Sequence, residues 1–300
     1  MWQDSEKMKD SILRGMLCDG EISVMIACTS ETVRQAERLL NTNEPVTIAL
    51  GRLLTAGAIM AQRIKGTSEK LTIIINGGGP AGKLMITANC NGEVKGCVDN
   101  PQALPSASGK NAPSEAVVGN KGNLTIIRDM GFGMPYTGVA PLVSGGIAED
   151  IAAYFTFSEQ QPAAVILGVD IDSESNDIIA GGIFFMPMPD CSNASIEALE
   201  KKILKLPPIS KMLTYYLSLE EMLFDLFWDI GAETLEENAV NYCCDCSRNR
   251  IEEVLLSLGV NELNEIKGQN TETEICCHFC NKKYIFLKGD IELLMEKAKL

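Results

Sequence analysis

The feature that most limits how this chain can fold lies near its C-terminus, where "NYCCDCSRNR" is followed by "ICCHFCNKKY". These two stretches hold six of the protein's 11 cysteines. Cys244-x-Cys246 and Cys277-x-x-Cys280 can each place two sulfurs on one ion, and 30 residues separate the pairs. Two such pairs brought together make the tetrahedral four-sulfur environment that zinc prefers. The tail from 241 to 300 is otherwise too short for a comfortable apolar core, so one Zn2+ would supply much of its folding free energy.

Spacing alone leaves part of the ligand choice open. Cys243-x-x-Cys246 is also a valid pair, although adjacent cysteines point in different directions and both members of a doublet do not ligate together. His278, the only histidine, sits inside the second pair and can substitute in principle; otherwise it is an exposed spacer. Between the pairs, "SRNRIEEVLLSLG" carries Ile251, Val254, Leu255 and Leu258 and can pack over the site. Tyr284 and Phe286 in "KKYIF" alternate like a short strand.

Charge excludes some functions. The formal net charge is -14 and the pI near 4.6, against the basic footprint that nucleic-acid binding requires. Residues 241–300 repeat this, with 8 Lys and Arg against 10 Asp and Glu. No apolar run approaches the roughly 20 residues of a membrane span. The opening "MWQDSEKMKDSILRGML" lacks the apolar centre of a signal peptide, so a cytoplasmic location is expected, with no membrane partner. A reducing compartment favours metal-binding or redox-active thiols over structural disulfides, and an odd cysteine total suits a fully paired framework poorly. Cys18, Cys28, Cys90, Cys97 and Cys191 are scattered and read as small buried hydrophobes.

Along the chain, "EISVMIACTS" alternates Ile22, Val24 and Ile26 as a strand. "SETVRQAERLL" is helical, with Ser30 as the expected N-cap. "EPVTIALGRLLTAGAIMAQRIKG" reads as a buried helix stopping at Gly66. "KLTIIINGG", "GKLMITANCNGEVKGCV" and "GNLTIIRDMG" are strand-rich, and residues 98–116 form a polar loop. "GGIAEDIAAYFTFSEQQPA" is helical; "AAVILGVDID" and "DIIAGGIFFMPMPD" are strands. Elements in blocks predict an α+β domain with antiparallel sheet over 1–190. A helical linker follows over 191–240. Its first helix carries Ile196, Leu199, Ile203 and Leu206 and ends at Pro207-Pro208. Its second has a Ser218/Glu221 capping box and a stripe of Leu219, Met222, Leu223, Leu226 and Phe227. The zinc-binding domain spans 241–300.

"GGGPAGKL" from Gly77 nearly matches a phosphate-cradling loop. Leu84 replaces the required hydroxyl, and "LMIT" alternates like a strand where a helix should start, so a hairpin is the simpler reading.

The whole chain resembles the heat-shock protein 33 family of redox-regulated bacterial holdase chaperones. "CDCSRNR" with "CHFCNKKYIF" carries the resemblance in the tail. "ALGRLLTAGAIMA", "GGGPAGKLMITA", "GNLTIIRDMG", "GGIAEDIAAYFTFSEQQPA" and "AGGIFFMPMPD" carry it in the front half. The resemblance implies Cys244, Cys246, Cys277 and Cys280 as zinc ligands, with Cys244–Cys246 and Cys277–Cys280 disulfides on oxidation. It implies ATP-independent binding of unfolding clients after oxidative stress, a homodimer when oxidised, and no enzymatic activity. Leu219, Met222, Leu223, Leu226 and Phe227 are then the expected client-binding surface. The competing reading is a thiol–disulfide oxidoreductase using Cys277-x-x-Cys280. Two departures stand out. Gly146 replaces an acidic residue, leaving the helix start poorly matched to its dipole, and Cys243 and Cys276 are additional thiols.

Overall fold

An 18-residue helix that is apolar on every side, Glu44–Ala61, organises the first part of the molecule. Such a helix must be covered all round, and here 78% of it is buried. It is the one helix among the described residues with the length and hydropathy of a membrane span; its burial marks it as a core helix. The computed structural model describes residues 8–64, 66–105, 114–172, 174–269 and 272–298. The first seven residues of the charged opening, and 106–113 of the expected polar loop, lie outside them.

In chain order the elements are β1 (Ser11–Leu17), β2 (Ile22–Cys28), α1 (Ser30–Leu40), α2 (Glu44–Ala61), β3 (Lys70–Asn76), β4 (Lys83–Ala88) and β5 (Glu93–Val98). Next come α3 (Glu115–Val118), β6 (Asn123–Asp129), β7 (Tyr136–Pro141), α4 (Ala148–Phe157), β8 (Ala164–Ile171) and β9 (Ile178–Pro187). Then follow α5 (Asn193–Ile203), α6 (Ile209–Tyr215), α7 (Leu219–Phe227), β10 (Glu233–Ala239) and β11 (Asn241–Tyr242). The last are α8 (Arg248–Leu258), α9 (Val260–Gln269), β12 (Glu272–Cys276), β13 (Lys283–Leu287) and α10 (Lys288–Lys297).

The chain divides into two units, Met1–Cys243 and Cys244–Leu300, with the break inside the first cysteine doublet. The first unit holds a five-stranded sheet ordered β10-β1-β2-β9-β8 and a six-stranded sheet ordered β11-β5-β4-β3-β6-β7. All pairings are antiparallel except the short β11–β5 contact. Helix α2 packs against strands of both sheets, which makes the main core. The second unit carries the β12–β13 hairpin and α8–α10.

Local chemistry fixes the joints. The "GGGPAG" run is a β3–β4 hairpin connection: Gly82 has φ +71°, and a Cβ on Gly77 would stand 2.2 Å from the Gly119 carbonyl oxygen. Helix α2 ends at Ala61, short of Gly66. Thr29, not Ser30, is the N-cap of α1, because Ser30 Oγ instead accepts the Ala180 N–H at 3.0 Å. The free N–H groups of Glu31 and Thr32 donate to the Asp10 carboxylate at 3.0 and 2.6 Å. At α4 the lack of an acidic residue at 146 is made good from inside the helix. Asp150, fully buried, accepts the N–H groups of Val143, Ser144 and Ile147 at 2.8, 3.0 and 3.0 Å. It thereby holds Ile147 at φ +70°, a strained conformation for a β-branched residue.

The segment 191–240 belongs with the first unit and differs from a purely helical stretch. Helices α5–α7 pack on the face of the five-stranded sheet away from α2, forming a second core. Glu233–Ala239 is a strand, paired along the open edge of β1. Arg14 meets Glu236 across this pair, and Ser11 Oγ donates to Glu237. The acidic outer strand shields a sheet edge that would otherwise invite pairing.

Candidate metal centre

The C-x-x-C pair lies in the turn between β12 and β13. The Cys277 N–H donates to Lys282 O at 2.9 Å, and the N–H groups of Cys280 and Asn281 return to Cys277 O at 3.3 and 2.8 Å. Asn281 takes φ +56°, a left-handed conformation that asparagine tolerates. Ser247 caps α8 through the Arg250 N–H at 3.3 Å, so Cys244 and Cys246 enter on extended chain just ahead of a helix.

This brings four sulfurs together. Cys244, Cys246, Cys277 and Cys280 Sγ all lie within 4.8 Å of one another. Cys244 Sγ is 3.6 Å from Cys277 Sγ, and Cys246 Sγ is 3.4 Å from Cys280 Sγ. Tetrahedral zinc with bonds of about 2.3 Å needs sulfurs roughly 3.8 Å apart, so the set fits the ion. Cys243 stays in the first unit, its N–H bonded to Val94 O at 2.9 Å. Cys276 is exposed, and so is His278; neither joins the cluster.

The electrostatics also call for a cation. Burial opposes ionisation at Cys244, Cys246 and Cys280. It pushes the Cys244 thiol far up and the Cys280 thiol to about 11. At Cys246, hydrogen bonds from Tyr284 and the neighbouring thiols outweigh burial and bring the pKa down to about 7. Four thiolates this close need a positive charge among them, and a divalent ion supplies it.

Tyr284 was legible only as part of a short strand; its Oη in fact donates to Cys246 Sγ at 3.1 Å. A donor of this kind orients a metal ligand. Arg248, also unforeseen, ties three elements together. Its guanidinium donates to Ile285 O at 2.7 Å and to Asp290 Oδ2 at 2.9 Å, and lies 4.3 Å from the Phe286 ring centre. Leu255, Leu263, Phe286, Ile291 and Leu294 complete a small core. Of the stripe expected on α8, Leu255 is buried and Ile251 partly so, whereas Val254 and Leu258 face solvent.

The expected client-binding stripe lies in the other unit and is covered. Leu219, Met222, Leu223 and Phe227 are buried, and Leu226 is partly exposed. They share the second core with Leu13, Leu17, Ile22, Val24 and Phe185. Phe227 meets Phe185 edge-on with ring centres 5.6 Å apart.

A family model described as Hsp33 protein matches residues 10–287. The chain belongs to this family. It is 40% identical over 291 residues to the 33 kDa chaperonin of Bacillus cytotoxicus, covering 96% of this chain and 99% of that protein. It is 39% identical over the same length to that of Bacillus cereus (strain AH187), with the same coverage. The crystal structure of the 33 kDa chaperonin (heat shock protein 33 homologue) of Thermotoga maritima superposes with a TM-score of 0.86 at 30% identity. That match covers 97% of this chain and 99% of the other. With the family in place, the α+β architecture and the clustered cysteines are features of one fold.

Proposed function

We propose that this protein is an ATP-independent holdase chaperone under redox control. The observation that carries the reading is the pairing of two features: four sulfurs spaced for one zinc ion, and an apolar stripe covered in the same state. Relatives named 33 kDa chaperonin support the chaperone part.

In the reduced protein, Cys244, Cys246, Cys277 and Cys280 would hold Zn2+. The ion would supply a cross-link joining the start of α8 to the β12–β13 turn. Two-electron oxidation of each pair by a peroxide would join Cys244 to Cys246 and Cys277 to Cys280 and would leave no thiolate to hold the ion. A module of this size depends heavily on its ligand for folding. Its chain runs directly back through Cys243 and β11 into β10, which are themselves held by β5 and β1 of the first unit. The stripe packs on β1 and β2 of its own unit, so its exposure requires α7 to peel from the five-stranded sheet. That would uncover two apolar surfaces together, and Met222 and Phe227 suit variable partners.

The oxidoreductase reading has weaker support. Cys277-x-x-Cys280 lies in a hairpin turn, away from the helix N-terminus that activates such a pair. The test measures zinc content and suppression of client aggregation on one sample, before and after peroxide with mild heat. Protection should rise as zinc is lost; protection that stays flat while zinc departs refutes the coupling.

A further inference from the structure

Of the five cysteines outside the doublets and their partners, only Cys28 is buried. Its thiol is pushed up to about 11, by burial first and then by the Asp10 carboxylate. The other four are partly exposed, against the expectation of buried hydrophobes. Two of them, far apart in sequence, lie beside the same helix start in the first unit.

Cys18 stands in the β1–β2 turn at φ +53°, its N–H bonded to Ile230 O at 2.7 Å. Cys191 closes the turn after β9, its N–H bonded to Met188 O at 3.0 Å, while the Met188 N–H donates to Glu21 O at 2.8 Å. Glu21 then reaches across. Its Oε2 accepts the Ser192 N–H at 3.0 Å and the Ser192 hydroxyl at 2.8 Å. Ser192 caps α5, and both sulfurs lie along that helix start. Cys191 Sγ is 3.7 Å from Ser192 O, and Cys18 Sγ is 4.0 Å from Ser195 O. Both thiols pack on the second core, at the end of 191–240 opposite the metal centre in sequence. They are close enough for the charge of one to bear on the other, after burial, among the influences that raise Cys18.

We propose that Cys18 and Cys191 form a second, metal-independent disulfide under peroxide, stapling the start of α5 to the β1–β2 turn. The Cys191 thiolate attacks a peroxide oxygen; the O–O bond breaks, hydroxide leaves, and a sulfenic acid remains. The Cys18 thiolate displaces hydroxide from that sulfur and the S–S bond forms. Two thiols and one peroxide become one disulfide and two waters. Burial raises both thiols, so this link forms more slowly than oxidation of a reactive thiolate. The consequence is directional release: the α7 end of 191–240 can leave the sheet while the α5 end stays tethered.

Full-length protein at high dilution is treated with peroxide, alkylated in denaturant, digested and mapped by mass spectrometry. The expected product is an intramolecular peptide pair joining Cys18 to Cys191, lost on treatment with dithiothreitol and absent from C18S and C191S. Amides in the first turn of α5 should exchange at least tenfold more slowly in oxidised wild type than in oxidised C191S. Full alkylation of Cys18 and Cys191 while Cys244, Cys246, Cys277 and Cys280 are oxidised overturns the proposal, and this result needs no variant. A Cys18–Cys191 link formed while those four stay reduced upholds it and counts against the metal-centre switch instead.

Discussion

Tyr284 makes one of the four sulfurs easier to ionise. Its hydroxyl bond helps bring Cys246 to about 7, while burial holds Cys280 at about 11. The thiolate is the nucleophile, so alkylation speeds up with pH only until the pKa is passed. At buried Cys28 in the reduced protein the rate should therefore keep climbing about tenfold per pH unit toward about 11. Residue-resolved alkylation by mass spectrometry reads this directly. Replacing Tyr284 with Phe removes the donor, and zinc affinity measured by chelator competition should fall about tenfold. Asp150 gives a second test at this scale. It satisfies three N–H groups and a strained Ile147, so Asp150→Ala should lower the unfolding free energy by about 3 kcal/mol in urea titration. The four clustered sulfurs were legible in the sequence because their spacing is local. Asp150 was hidden because its partners are backbone groups that a loop folds onto it, and Asp10 because it caps a helix from across a hairpin.

At the scale of elements, α7 is the part on which the proposed switch turns. Ser218 and Glu221 announce its start, and the structure keeps that pattern with one shift. Ser218 Oγ accepts the Glu221 N–H at 3.1 Å, while the Glu221 carboxylate bonds Leu217 N–H at 3.0 Å, one residue before the cap. Leu223→Ser and Phe227→Ser each remove fully buried apolar volume and should cost about 3 kcal/mol in the reduced state. If the stripe binds clients, the oxidised double variant loses most of its suppression of aggregation in light-scattering assays. Unchanged protection takes α7 out of the mechanism. The strands missed in the sequence have physical reasons. β1 is buried on both faces, Ile12 in the main core and Leu13 in the second, so it shows no alternation. β7 is an exposed edge strand with Tyr136 and Val139 in solvent and Gly138 under the Tyr154 hydroxyl, so it shows little apolar pattern. β10 is acidic and is a strand only because β1 offers it an edge.

For the whole molecule, the two units rest on different kinds of stability. Met1–Cys243 buries α2 and both sheets in large apolar cores, and the second unit has only a handful of buried residues around its sulfurs. The sequence divided the chain near 190 and 240 by composition; the contacts divide it after Cys243, because the amphipathic helices of 191–240 find their apolar partner on the first sheet. Heating metal-stripped protein should thus give a normal main transition with no cooperative contribution from Cys244–Leu300. The most direct measurement is amide hydrogen exchange over β13, where Tyr284 and Phe286 face the small core. Reduced, zinc-loaded protein should protect these amides, and removal of zinc by a chelator under reducing conditions should abolish that protection while β2 and β9 keep theirs. Undiminished protection of β13 in thiol-intact, zinc-free protein would contradict the account.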